Sequence, residues 1–311
     1  MRRCVVGQLL LLAALAPLGG CTAHGTAGPA TDTALAQRIE RLVETFLTSD
    51  DNGKEASALS DARVIFEREG IPTVARVGDG AAYGFVLMNM LGQSPAFRVQ
   101  FLAKVRVAAT RHELPEDAVI FAEARLRQAA TEERYKAQPP SHPEVRDQIS
   151  RLLKEDQAVR DRAGFDPKKM EETDRRTAAP LRAIFDRYGV PAYDMVGVQA
   201  TKDFVVMVQH QPAEFRREVL PKLKAKVDGG QADPGAYAMV YDRAQRDQGK
   251  NQLYGEQLEC ASGKALKEAP IDDEANVNIR RAELGLIRVE LYARLVRLHS
   301  PAMCGPVTSK E

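Results

Sequence analysis

The densest set of mixed polar groups in the 311-residue chain is Asp242-Arg243 followed by Lys250-Asn251-Gln252-Leu253-Tyr254-Gly255-Glu256-Gln257. An arginine there can grip a carboxylate or phosphate through two parallel N–H bonds. The amide of Gln252 and the phenol of Tyr254 suit a polar ligand, and they also suit tying down a loop. Gly255 permits a backbone angle that other residues resist. Upstream, Asp156-Gln157-x-x-Arg160 places an acid and a base on one helix face. His210 closes an almost wholly apolar stretch, where a helix C-terminus favours the charged imidazole. It reads either as a general acid or base or as a core histidine. The catalytic candidates are therefore His210 and Asp242. The ligand-binding candidates are Asp156, Gln157, Arg160, Arg243, Gln252 and Tyr254. Against the ligand role, Arg243 could equally pair with Asp156 or Asp242 to lock helices.

Several chemistries lack their residues. There is no H-E-x-x-H, no paired-cysteine metal spacing, no G-x-S-x-G and no P-loop, and the five histidines are scattered. No metal and no cofactor is expected. Asp272-Asp273-Glu274 reads as acidic residues opening a helix. A net charge of +1 and the absence of tryptophan give no reason to expect nucleic acid.

The elements that must position these groups read as helices throughout. Leu35, Ile39, Leu42, Val43 and Phe46 share one face at 3.6-residue spacing. Ala81 to Leu91 is apolar nearly all round and should be a central buried helix. After the break at Gln138-Pro139-Pro140-Ser141-His142-Pro143, helices are expected over 144–162, 170–188, 199–210, 213–227 and 234–248. A last long helix should run from about 274 or 279 to 298, with irregularity near Gly285. No window alternates as a half-buried strand would.

The two passages share a grammar. Ile65-Phe66 matches Ile184-Phe185, an offset of 184 − 65 = 119. Gly70/Gly189, Pro72/Pro191, Val77-Gly78/Val196-Gly197 and Phe85-Val86/Phe204-Val205 keep that offset. The fold class expected is all-α: two tandem related helical units, 34–138 and 142–300, the second extended by a C-terminal helix, with a tail over 301–311. One unit then serves as a control for the other. His210 aligns with Leu91, Asp242-Arg243 with Glu123-Ala124, and Gln252 with Glu133, so these groups are particular to the second unit. Tyr254 and Gln257 face Tyr135 and Gln138, which favours a structural role for them.

Asp156-Gln157-x-x-Arg160, Gly189-Val190-Pro191, His210, Asp242-Arg243, Gln252-Leu253-Tyr254-Gly255 and Arg280-Arg281 together resemble the signature of a bacterial family catalogued as a domain of unknown function. The likeness covers about Glu144 to Tyr292. It implies no mechanism. Glu256 departs from the pattern, which has a small hydroxyl residue after the glycine.

The N-terminus reads as an address. Arg2-Arg3, an apolar run from Val5 to Ala16, and Leu18-Gly19-Gly20-Cys21 resemble the signal peptide of bacterial lipoproteins over residues 1–20. Cys21 is the expected site of diacylglycerol and palmitate, and 21–33 a flexible tether. Thr22 implies, by that resemblance, the periplasmic face of the outer membrane if the host is Gram-negative. Cys260 and Cys304 remain as a disulfide candidate in an oxidising compartment. The expected protein is a membrane-anchored envelope module with a polar cleft in its second unit, holding a small polar ligand or a protein partner. The alternatives are a metal-independent hydrolase or transferase using His210, and a purely structural envelope protein.

Overall fold

The computed structural model describes residues 30–160, 166–261 and 265–299. The signal segment, Cys21, Cys304 and the 301–311 tail lie outside them. The described chain is helical apart from one small hairpin, as an all-α reading requires.

The first passage consists of α1 (Thr33–Thr48), α2 (Asn52–Glu69), α3 (Val74–Val77), α4 (Asp79–Gly92), α5 (Pro95–Ala109) and α6 (Glu116–Lys136). The second repeats the order with α7 (Pro143–Ala158), α8 (Pro167–Tyr188), α9 (Tyr193–Val196), α10 (Val198–Val208), α11 (Ala213–Asp228) and α12 (Pro234–Arg246). Local chemistry starts these helices. The carboxylates of Asp32, Asp51, Asp166 and Asp233 accept backbone N–H bonds at four N-termini. Proline occupies the first turn of α5, α7, α8 and α12, where its missing N–H costs nothing. α4 is the centre of the first core, with every residue from Ala81 to Met90 buried.

Matching backbone bonds recur in the two passages. Thr31 and Asp32 donate to Ala75 and Arg76, as Ser141 and His142 donate to Asp194 and Met195. The offset is 141 − 31 = 110 on the donors and 194 − 75 = 119 on the acceptors. The first helix of each passage is thus registered nine residues differently from the rest, a shift made of five extra residues between α7 and α8 and four more at the start of α8.

Beyond α12 the chain departs from the expected helix. α12 stops at Arg246 rather than Gln248. A hairpin follows, β1 (Leu258–Ala261) paired antiparallel with β2 (Ala265–Glu268). Four residues a side are too few to show alternation in sequence. The single long C-terminal helix is instead a 3-10 turn (Glu274–Asn276), α13 (Val277–Glu283) and α14 (Val289–His299). The break falls at Gly285, whose φ of 65° is left-handed. Cys260, on β1, is disulfide-bonded.

This last segment crosses back to the first passage. α13 packs on α6, and Ile287 and Leu291 join the first core. Arg288 grips Asp117 with Nε and Nη2 at 2.5 and 2.7 Å, pairs with Asp79, and lies 4.1 Å over the Tyr83 ring. No helix among the described residues is long and apolar enough to cross a membrane.

Candidate functional site

The sequence candidates fall into two groups. The first sits where the end of α7 meets the turn after α10. Asp156 occupies the last turn of α7 with its side chain 1% exposed. Its Oδ1 lies 2.9 Å from His210 Nδ1 and 3.0 Å from Arg160 Nη2. Its Oδ2 accepts from Gln157 Nε2 at 2.7 Å. Arg160 Nε lies 3.0 Å from the same His210 Nδ1, and its Nη2 also binds Asp174 on α8. The His210 side chain is 26% exposed, so the ring reaches solvent while Nδ1 faces the buried carboxylate. Burial pushes the Asp156 carboxyl up, but the bond and charge of His210, the charge of Arg160 and the Gln157 bond outweigh it. The group is held below the ordinary carboxylate range.

The turn is held from behind. Arg216 donates through Nη1 to the carbonyls of Gln209 and Gln211 and pairs with Asp247 at the end of α12. Arg98 does the same in the first passage, donating to the carbonyls of Leu91 and Gln93. These bonds set the register: 216 − 98 = 118, 209 − 91 = 118, 211 − 93 = 118. His210 therefore corresponds to Gly92, not to Leu91 as the sequence offset suggests. The residue lost between the passages falls in the last turn of α10, ahead of His210. By the α1/α7 register, Asp156 corresponds to Phe46. A Cβ placed on Gly92 would meet the Phe46 ring at 2.7 Å. The same pair of positions is thus in contact in both passages, glycine on phenylalanine in one and histidine on aspartate in the other.

Partnerless donors gather at this turn. Among the described residues, Arg160 Nη1, Gln209 Nε2 and Gln211 Nε2 are buried without a hydrogen-bond acceptor. Each such donor costs about 1–3 kcal/mol unless a water or ligand oxygen satisfies it. The ligand atoms of Asp156, Asp174 and His210 also lie within 4.8 Å of one another, close enough to chelate an ion. Arg160 already contacts all three, and a metal would have to displace its guanidinium.

The second group is built around Asp242 on α12. The Asp242 carboxylate, fully buried, accepts from the backbone N–H groups of Leu253, Tyr254 and Glu256 at 2.8–3.2 Å. Burial raises this carboxyl, against those three bonds and the charge of Arg281. Gln252 is also fully buried, donating to the carbonyls of Gln257 and Ala269 and accepting from Gln257 N–H. The ligand role expected of Gln252 thus meets an amide bonded at both ends inside the protein. Arg243 points outward to Gln257 and pairs with neither Asp156 nor Asp242. Tyr254 packs its ring on Tyr237 and Tyr241. Glu256, the departure from the family pattern, is buried against Arg281 at 2.7 Å. This group is a loop lock that also ties the hairpin to α13.

No hydrogen bond or ion pair among the described residues joins the two groups. Two contact residues of the first group and one residue of α9 escaped sequence reasoning. Asp174 sits among ordinary charged residues of α8 and gives no signal. Arg216 had one: an arginine at the same place in both passages, Arg98, marks a shared staple. Tyr193, on the short α9, gave none.

Fold and site define an all-α protein whose second passage carries a histidine–aspartate–arginine cluster absent from the first. The chain belongs to the family of unknown function DUF6624, whose profile matches residues 143–300. That span holds both polar groups and also α13 and α14, which pack on the first passage. No curated protein and no solved structure matches the chain.

Proposed function

We propose that this is a lipid-anchored envelope protein whose second passage performs metal-independent acid–base chemistry, a hydrolysis or group transfer, at His210. One observation carries the reading: a solvent-reachable imidazole whose Nδ1 rests 2.9 Å from a carboxylate that is itself buried. With its proton on Nδ1 and donated to Asp156, the ring offers a bare Nε2 to a nucleophile. Nε2 takes a proton from water or a hydroxyl and returns it to the leaving group. Asp156 fixes the ring and stabilises the imidazolium. Arg160, 3.0 Å from the ring nitrogen, supplies a positive charge beside the site for negative charge that develops on the substrate. The anchor rests on Arg2-Arg3, the apolar run and Leu18-Gly19-Gly20-Cys21.

Diethyl pyrocarbonate, which acylates a bare accessible imidazole nitrogen, tests the site. Peptide mapping should find His210 modified in the native protein. An unreactive His210 beside modified His112 and His142 would leave the proposed enzyme without its base. A ligand-binding role at a different place has its own support, in a cavity over Tyr193.

A further inference from the structure

A cavity of about 370 Å³ opens where the two passages and the returning C-terminal segment meet. Such volumes hold small molecules, and pockets favour the seams between units. Its walls come from α6, α9, the α11–α12 turn and the end of α13. None of the sequence candidates lines it.

Tyr193 supplies the polar group that the fold leaves unused. The residue is 3% exposed, its ring packs on Tyr135, and its hydroxyl has no hydrogen-bond partner among the described residues. Burial, then the charges of Asp233 and Glu132, push this phenol far up against the charge of Arg125, so it stays protonated. Four lining side chains are carboxylates: Glu132, Asp228, Asp233 and Glu283. Arg127 is the one lysine or arginine among the described lining residues. Three of the four carboxylates have basic partners: Lys202 bridges Glu132 and Asp233 at 2.8 and 3.2 Å, Lys136 lies 3.6 Å from Glu132, and Lys224 pairs with Asp228. Glu283, which is exposed, has no such partner among the described residues.

The geometry points to a binding site for a small organic amine, its ammonium group accepted by the Tyr193 hydroxyl and the surrounding carboxylates. A protonated hydroxyl can accept from an ammonium N–H through its lone pairs, and the unpaired Glu283 carboxylate favours a cationic donor. An occupant would touch α6 of the first passage, α9 of the second and Leu284 of the returning segment at once, and so would clamp the three together.

Three probes of equal length and different ends test the class: 1,4-diaminobutane, 1,4-butanediol and succinate, titrated calorimetrically into the folded protein at low salt. The diamine should bind and the other two should not. Tyr193→Phe keeps the ring contact with Tyr135 and should weaken diamine binding at least tenfold; Glu132→Gln should weaken it too. His210→Gln should leave it unchanged, which separates this site from the acid–base one. Binding of the diol or succinate in preference to the diamine overturns the proposal. So does absence of diamine binding, or diamine binding that Tyr193→Phe leaves intact with the fold verified by circular dichroism.

Discussion

His210 Nδ1 lies 2.9 Å from Asp156 Oδ1, at the pair of positions that Gly92 and Phe46 fill in the first passage. One passage closes this spot with an aromatic ring, and the other spends buried space on a carboxylate. Asp156→Asn should cost about 1–3 kcal/mol, since it weakens bonds to His210 and Arg160 in the interior. The pH dependence has a definite sign. The folded Asp156 carboxyl is depressed below its free value of 3.8. Its contribution is therefore fully present above the unfolded pKa and is lost as pH falls through the folded one. Urea unfolding across pH 2–6 should show a shallower acid loss in Asp156→Asn than in the wild type.

Arg288 fastens the end of the chain to the first passage. Its guanidinium, 17% exposed, pairs with Asp117, which is 8% exposed. Removing one partner of a buried pair leaves the other uncompensated, at about 3–5 kcal/mol. Arg288→Leu should lower the melting temperature strongly. It should also raise amide exchange in α13 and α14 ahead of α7 to α12. Equal exchange in both regions would show that the latch does not hold the segment.

Gly255 is fixed by space as well as by backbone. Its φ is 79°, and a Cβ there would come within 2.5 Å of Val289 Cγ2. Gly255→Ala therefore meets both backbone strain and a clash with α14, and should destabilise by more than the roughly 1 kcal/mol of a strained turn alone. Val289→Ala in the same chain should recover part of the loss, a coupling that a double-mutant cycle reads directly.

The residues show why some of this was legible in sequence and some was not. α4 was plain because ten consecutive buried residues leave no polar face. Asp156, Arg160 and His210 were visible as polar types where the other passage is apolar. The one-residue error at His210 came from the last turn of α10, where a deletion leaves no Gly or Pro to mark it; only the Arg98 and Arg216 staples fix the register. Asp242 and Gln252 look like ligand groups because buried loop locks and binding sites use the same side chains. Arg288 could not be paired with Asp117 from sequence, since 171 residues separate them.

The proton on His210 decides the central claim. Nδ1 faces two groups with opposite demands, the Asp156 carboxylate at 2.9 Å and the Arg160 Nε–H at 3.0 Å. Nitrogen-15 chemical shifts of the ring, assigned with His210→Gln, report which nitrogen is protonated in the neutral form. The acid–base account predicts a proton on Nδ1 and a bare Nε2. A proton on Nε2 would mean that Nδ1 accepts from Arg160, and His210 would then have no free nitrogen to act as a base.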